Sequence, residues 1–232
     1  MGAVKKIVNL NQYRAKSQPN TNNENDTLKS TVLSLMKTLE LKDDYTFRHC
    51  TRVAYYSLVL GREYGLNTAQ LRDLELSALF HDIGKIGIAD NILKKPNGLT
   101  PEEFEIMKRH PEYSAEIISG LPGIKEEVIK SVLHHHERFD GRGYPYNLKE
   151  EAIPLYSRMI IIADTYDAMT SIRPYRSNMP SAIAYQELLE FAGSQFDPSL
   201  VKTFIRGMRR EENLNLESYF LPLYNKTFKK VA

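Results

Sequence analysis

The segment Leu79-Phe80-His81-Asp82-Ile83-Gly84-Lys85 ends an apolar run with a histidine beside an aspartate, and a lysine follows three residues on. Imidazole and carboxylate are ligands for divalent ions, and neighbouring side chains on a helix diverge by about 100°. His81 and Asp82 therefore suit two ions side by side better than one ion gripped from a single direction, with the short carboxylate between them. The dipeptide by itself says little, since many helices end this way. Its weight comes from the rest of the chain, which holds only six histidines: His49, His81, His110, His134, His135 and His136. Each stands at a predicted helix start or end, beside an acidic residue, or next to a glycine-rich loop. Asp164 follows the apolar run Met159 to Ala163, where a buried carboxylate needs a partner such as a metal ion. Cys50 is the single cysteine, so a zinc–thiolate site is excluded, and Cys50 itself reads as packing. Imidazole and carboxylate donors in this number suit two or more six-coordinate first-row ions, such as iron or manganese.

Helices must position these groups. Leu28, Val32, Leu35, Met36 and Leu39 recur three to four apart, the helical period. A second helix is predicted from Tyr45 to Tyr64, stopped by Gly65, with His49, Val53, Tyr56 and Leu60 on one face. By itself, His49 on that stripe reads as an ordinary core histidine. Asn67 can cap a third helix that delivers His81 and Asp82. Residues 86–98 read as loop, and Thr100-Pro101-Glu102-Glu103 opens a helix with a capping box. That helix is expected to end at His110, because Pro111 follows. Another runs through Val128 to Leu133 into His134-His135-His136-Glu137. Asp140-Gly141-Arg142-Gly143-Tyr144-Pro145 reads as a tight, exposed loop. Met159 to Ala163 fits a buried strand or a buried helix; helix is preferred, since Asp164 and Asp167 lie three apart and no partner strand is evident. Residues 181–206 read as further helix with a turn at Gly193 to Pro198. The fold class is all-α, with no internal repeat.

At 232 residues, 42% hydrophobic and 26% charged, the chain fits one soluble domain with appendages. Residues 1–26 are expected to be a tail, 27–206 the domain, and 207–232 a helical C-terminal extension. A net charge of +2 gives no support for binding long nucleic acids or anionic membranes. No apolar run is long enough for a signal peptide or a membrane span, and one cysteine suits a reducing compartment, so a cytoplasmic protein is expected. The extension carries Tyr219, Phe220, Leu221, Leu223, Tyr224 and Phe228, read as packing on the domain or, alternatively, as a homodimer or partner surface.

His49, then His81-Asp82 with Lys85, then His110, then His135-His136-Glu137 with Asp140 to Pro145, then Asp164, come in this order over residues 28–206. Together they closely resemble the HD-GYP domains, a branch of the HD phosphohydrolases. The resemblance implies a single HD-type helical bundle that hydrolyses cyclic di-GMP to linear pGpG or GMP. It implies His49, His81, Asp82, His110, His135, His136 and Asp164 as ligands of two divalent ions, with Asp82 bridging and His134 outside the set. A hydroxide shared by the ions would attack phosphorus, with Asp82 and Lys85 as the catalytic side chains and Lys85 at the substrate phosphate. Arg173 and Arg176 match phosphate-contacting positions, and Tyr144 and Pro145 shape the substrate mouth. Two alternatives stay open: another cyclic dinucleotide such as cyclic GMP-AMP as substrate, or an adaptor that binds diguanylate cyclase (GGDEF) domains through its glycine-tyrosine-proline loop. This chain departs from the family pattern at Ser114, where glycine is common and little consequence is expected. It departs again at Tyr45, where three-metal relatives carry a glutamate, so two ions are expected here.

Overall fold

A computed structural model describes residues 23–171 and 179–211. Arg173, Arg176 and the aromatic residues of the C-terminal extension lie outside the described residues. Those described form α1 (Asn23–Lys42), α2 (Asp44–Tyr64), α3 (Thr68–Phe80), α4 (Asp90–Leu93), α5 (Pro101–Met107), α6 (His110–Ser119), α7 (Glu126–Leu133), α8 (Leu155–Thr170), α9 (Ser181–Glu190) and α10 (Pro198–Glu211). No strand occurs among them, so the Met159 to Ala163 run is helix.

Local chemistry sets most of the ends. Asp43 caps α2 by accepting the Tyr45 N–H at 3.2 Å and the Thr46 hydroxyl at 2.6 Å. Gly65 ends α2 at φ 96, a left-handed conformation that costs glycine nothing. Asn67 and Gln70 form a reciprocal capping box on α3, and Thr100 and Glu103 do the same on α5. α2 is the spine of the molecule and packs against α1, α3, α8 and α10. Phe47, Val53 and Leu60 of α2, Phe80 of α3, Ile160 and Ile162 of α8, and Phe204 of α10 all lie in one core. Phe80 is completely buried immediately before His81; truncating it to alanine would cost about 3–5 kcal/mol and loosen the start of the site.

Four features differ from the sequence expectation. α1 starts at Asn23, inside the polar tract read as a tail. Residues 86–98 are partly ordered, through a 3-10 turn at Ile83–Gly87 and the single turn of α4. α5 stops at Met107, and His110 opens α6 instead of closing α5. Proline lacks the N–H that a first helical turn leaves unused, and its φ is already helical, so Pro111 starts a helix here. Last, the Asp140 to Pro145 loop is largely half-buried, and Gly143 is buried. A Cβ on Gly143 would lie 2.4 Å from Arg138 N and 2.5 Å from His136 O, so the loop backbone is pressed against the segment that carries the histidine pair.

Candidate metal centre

Five helix segments converge on the site. α2 carries His49, and His81 caps the C-terminus of α3 with Asp82 next in line. His110 is the first residue of α6, and His135 and His136 lie just beyond α7. α8 brings Asp164. Two compact sets of donor atoms result, Asp82–His110–His135–His136 and His49–His81–Asp82, each with its atoms within 4.8 Å of one another. Asp82 belongs to both. Asp164 lies outside these two sets but adjoins the second, its Oδ1 being 3.1 Å from His49 Nε2. His134 stays apart, its ring edge-on to Tyr146 at 5.4 Å.

Close backbone approach makes this convergence possible. A Cβ on Gly84 would meet His110 O at 2.2 Å and Ser114 N at 2.5 Å, so only glycine lets α6 press onto the His81-Asp82 turn. Ser114, fully buried, joins the two segments: its hydroxyl accepts the Gly84 N–H at 2.8 Å and donates to His81 O at 2.8 Å. The serine thus acts as a stitch beneath the site, more than the substitution for glycine suggested.

Ring orientation follows from main-chain hydrogen bonds. Nδ1 of His81, His110 and His135 each lies 2.7 Å from the carbonyl oxygen three residues earlier, those of Ala78, Met107 and Val132. A carbonyl can only accept, so Nδ1 carries a proton, and in the neutral form of each ring Nε2 presents a lone pair. His110 Nε2 then faces His135 Nε2 at 3.2 Å and Asp82 Oδ1 at 3.1 Å. Lone pairs confronting each other at such distances repel unless a cation stands among them. His81 Nε2 and Asp82 Oδ1 are buried without a hydrogen-bond partner, and buried groups of this kind are costly unless something satisfies them. The residues fit divalent ions held by nitrogen and oxygen donors, with Cys50 absent from either set.

Electrostatics agree with that reading. Burial and the neighbouring imidazoles push His135 well below its ordinary pKa, and burial with His110 brings His136 down to about 3, so both rings are neutral. Burial alone would also lower His49, but its contacts with Asp164 and Asp167 outweigh this and raise it to about 9. Burial works against ionising Asp82, yet Lys85 and the adjacent histidines hold it well below the usual carboxylate range. The Lys85 ammonium lies 2.6 Å from Asp82 Oδ2.

The supporting roles of Asp167, Arg52 and Glu137 escaped the sequence reading. Asp167, completely buried, accepts His49 Nδ1–H at 2.7 Å and a two-point contact from Arg52 at 2.6 and 3.0 Å. It stands behind His49 as carboxylates stand behind metal-bound histidines. Its place one turn after Asp164 was a readable signal; the Arg52 partnership was not. Glu137 receives the main-chain N–H groups of Tyr146 at 2.7 Å and Leu148 at 3.1 Å, which clamps the loop to the end of α7. Tyr144 is thereby stacked on His136, with ring centroids 4.7 Å apart, and Pro145 follows it through a cis peptide bond.

The family model described as an HD domain matches residues 33–200. The chain belongs to the HD-domain family. Its relatives include a cyclic di-GMP phosphodiesterase of Thermotoga maritima, 41% identical over 75% of this chain and 48% of its own length. A cyclic di-GMP phosphodiesterase of Pseudomonas aeruginosa is 38% identical over 76% of this chain and 42% of its own. A 3'3'-cGAMP-specific phosphodiesterase of Vibrio cholerae is 34% identical over 78% of this chain. This HD domain therefore spans less than half the length of the first two. Among solved structures, a cyclic GMP-AMP specific phosphodiesterase of V. cholerae superposes with a TM-score of 0.58 at 22% identity, covering 80% of this chain and 49% of that one, which establishes the shared fold. No helix of the described residues is long and apolar enough to cross a membrane.

Proposed function

We propose that this HD domain is a metal-dependent phosphodiesterase that hydrolyses cyclic di-GMP to pGpG or GMP in the cytoplasm. The observation that carries the proposal is the convergence of the partnerless His81 Nε2 and Asp82 Oδ1 with the facing His110 and His135 nitrogens. His49, His81, Asp82, His110, His135, His136 and Asp164 would hold two ions, iron or manganese. When bound, such ions supply Lewis-acid charge to the phosphoryl oxygens and lower the pKa of water at the site.

The chain's own residues do the rest. Asp82 joins the two donor sets and keeps them in register. The main-chain carbonyls of Ala78, Met107 and Val132, with Asp167, fix the histidine tautomers. Lys85 brings a positive charge beside Asp82, where phosphoryl oxygens would gather charge as the bond to the leaving group breaks. Support for two ions over three comes from the acids near Tyr45: Asp43 is spent as the α2 cap, and Asp44 pairs with Arg48 at 2.8 Å. Cyclic GMP-AMP is the second reading, favoured by the three cGAMP-specific V. cholerae relatives at 34–36% identity.

Anaerobically purified protein, analysed for metal and then incubated with cyclic di-GMP and cyclic GMP-AMP, tests the proposal by product chromatography. Turnover of cyclic di-GMP that disappears in Asp82→Ala, with helicity retained, is expected. Full turnover by a folded Asp82→Ala protein would overturn the metal mechanism.

A further inference from the structure

A cleft of about 440 Å³ opens directly beside His136 and Asp164 and runs outward between α5 and the Arg142–Tyr144 loop. This volume lies in the range of small-molecule sites. Its lining combines the rings of Phe104 and Tyr144 with cations. Phe104 on α5 is 45% exposed, far more than a core phenylalanine would be. The Lys108 ammonium sits 5.1 Å from the Phe104 ring centroid and 5.9 Å from that of Tyr144. Lys108 also pairs with Glu105 at 2.6 Å, a surface contact weak enough for a phosphate to displace. Arg138 is committed to Asp140 through two contacts, at 3.1 and 2.8 Å. Arg142 is exposed and has no ion pair among the described residues.

We propose that this cleft holds the nucleotide of the cyclic dinucleotide that is not being cleaved, its base against Phe104 and its phosphodiester facing Lys108 and Arg142. The inference rests on the phosphodiesterase reading, and it names residues for substrate recognition that the metal motifs do not contain. Aromatic platforms hold bases through their π faces whatever the base, while lysine and arginine answer the phosphate charge. A neighbouring hollow of about 310 Å³ on the Pro145 side of Tyr144 also touches Lys108 and Arg109, but Glu105 and Glu112 line it and balance those charges. The larger cleft sets Lys108, Arg138 and Arg142 against the single carboxylate of Asp164, so an anionic nucleotide belongs there. Continuity with His136 and Asp164 makes the occupant an extension of the molecule whose phosphate is at the metal centre.

Steady-state kinetics of the full chain, metal-loaded, with Phe104→Ala, Phe104→Tyr and Lys108→Ala test this. Inorganic phosphate, small enough to probe the metal centre alone, serves as a competitive inhibitor. Phe104→Ala and Lys108→Ala are expected to raise KM for cyclic di-GMP on the order of tenfold, the scale of one stacked base. The inhibition constant of phosphate should move by a clearly smaller factor, and Phe104→Tyr should restore KM. An unchanged KM in Phe104→Ala, or a phosphate constant that rises in step with KM, would overturn the cleft assignment. If the wild-type protein does not cleave cyclic di-GMP, the activity reading fails separately, and equilibrium dialysis of cyclic di-GMP then reads the cleft. Tenfold weaker binding by Phe104→Ala supports it; equal or absent binding refutes it.

Discussion

Asp167→Asn removes one charge from behind the candidate metal centre and leaves the side-chain shape intact. Oδ1 of Asp167 accepts Arg52 Nε at 2.6 Å and the Ser171 hydroxyl at 2.8 Å, while Oδ2 accepts Arg52 Nη2 at 3.0 Å and His49 Nδ1 at 2.7 Å. An amide keeps only one of those oxygens. Whichever way it turns, its NH₂ faces two donors and a buried guanidinium contact is lost. Breaking a buried ion pair costs about 3–5 kcal/mol, and Arg52 is 35% exposed, so water softens the loss to roughly 2–4 kcal/mol. The effect on the site is more specific. His49 loses the anionic acceptor that fixes its tautomer, whereas His110 and His135 keep their main-chain acceptors. Loss of such a partner weakens metal binding by about 10–100-fold. Competitive chelator titration of the variant should therefore show the His49–His81–Asp82 set weakened by that factor and the four-donor set nearly intact. Urea unfolding of the metal-free variant measures the stability term. Equal weakening of both sets, or of neither, would refute the assignment of Asp167 to His49.

Glu75 is buried on α3, and burial raises its pKa from 4.5 to about 7 despite Arg62 and Arg72. Because the folded pKa is raised, the stability it contributes is complete below pH 4.5 and is lost as pH climbs through 7, by about 3 kcal/mol in all. Glu75→Gln should flatten that fall and exceed the wild type in stability at pH 8; parallel pH profiles of the two proteins would sink the idea. Ser114→Ala leaves the buried Gly84 N–H without its acceptor and should cost about 1–3 kcal/mol in chemical denaturation, and an unchanged midpoint would show that another group takes over. Lys85→Ala should keep its metal content while turnover drops on the order of a hundredfold, since its charge addresses phosphate; loss of the metals would reassign it.

What the sequence determined is what is local. The caps at Asn67 and Thr100, the glycine at the end of α2 and the helical period all act within a few residues, so the all-α class could be read from them. The candidate ligand types and their order could be read as well, because histidine and aspartate carry their chemistry wherever they are placed. The tertiary structure decided which of these donors lie together in one compact set. His49 meets Asp167 across 118 residues and Arg52 meets it across 115, distances fixed by the packing of α2 on α8 and invisible to any short motif. Pro111 shows the limit from the other side: proline is compatible with both stopping and starting a helix, and only the packing of α6 against Gly84 selects the start, which points His110 toward Asp82.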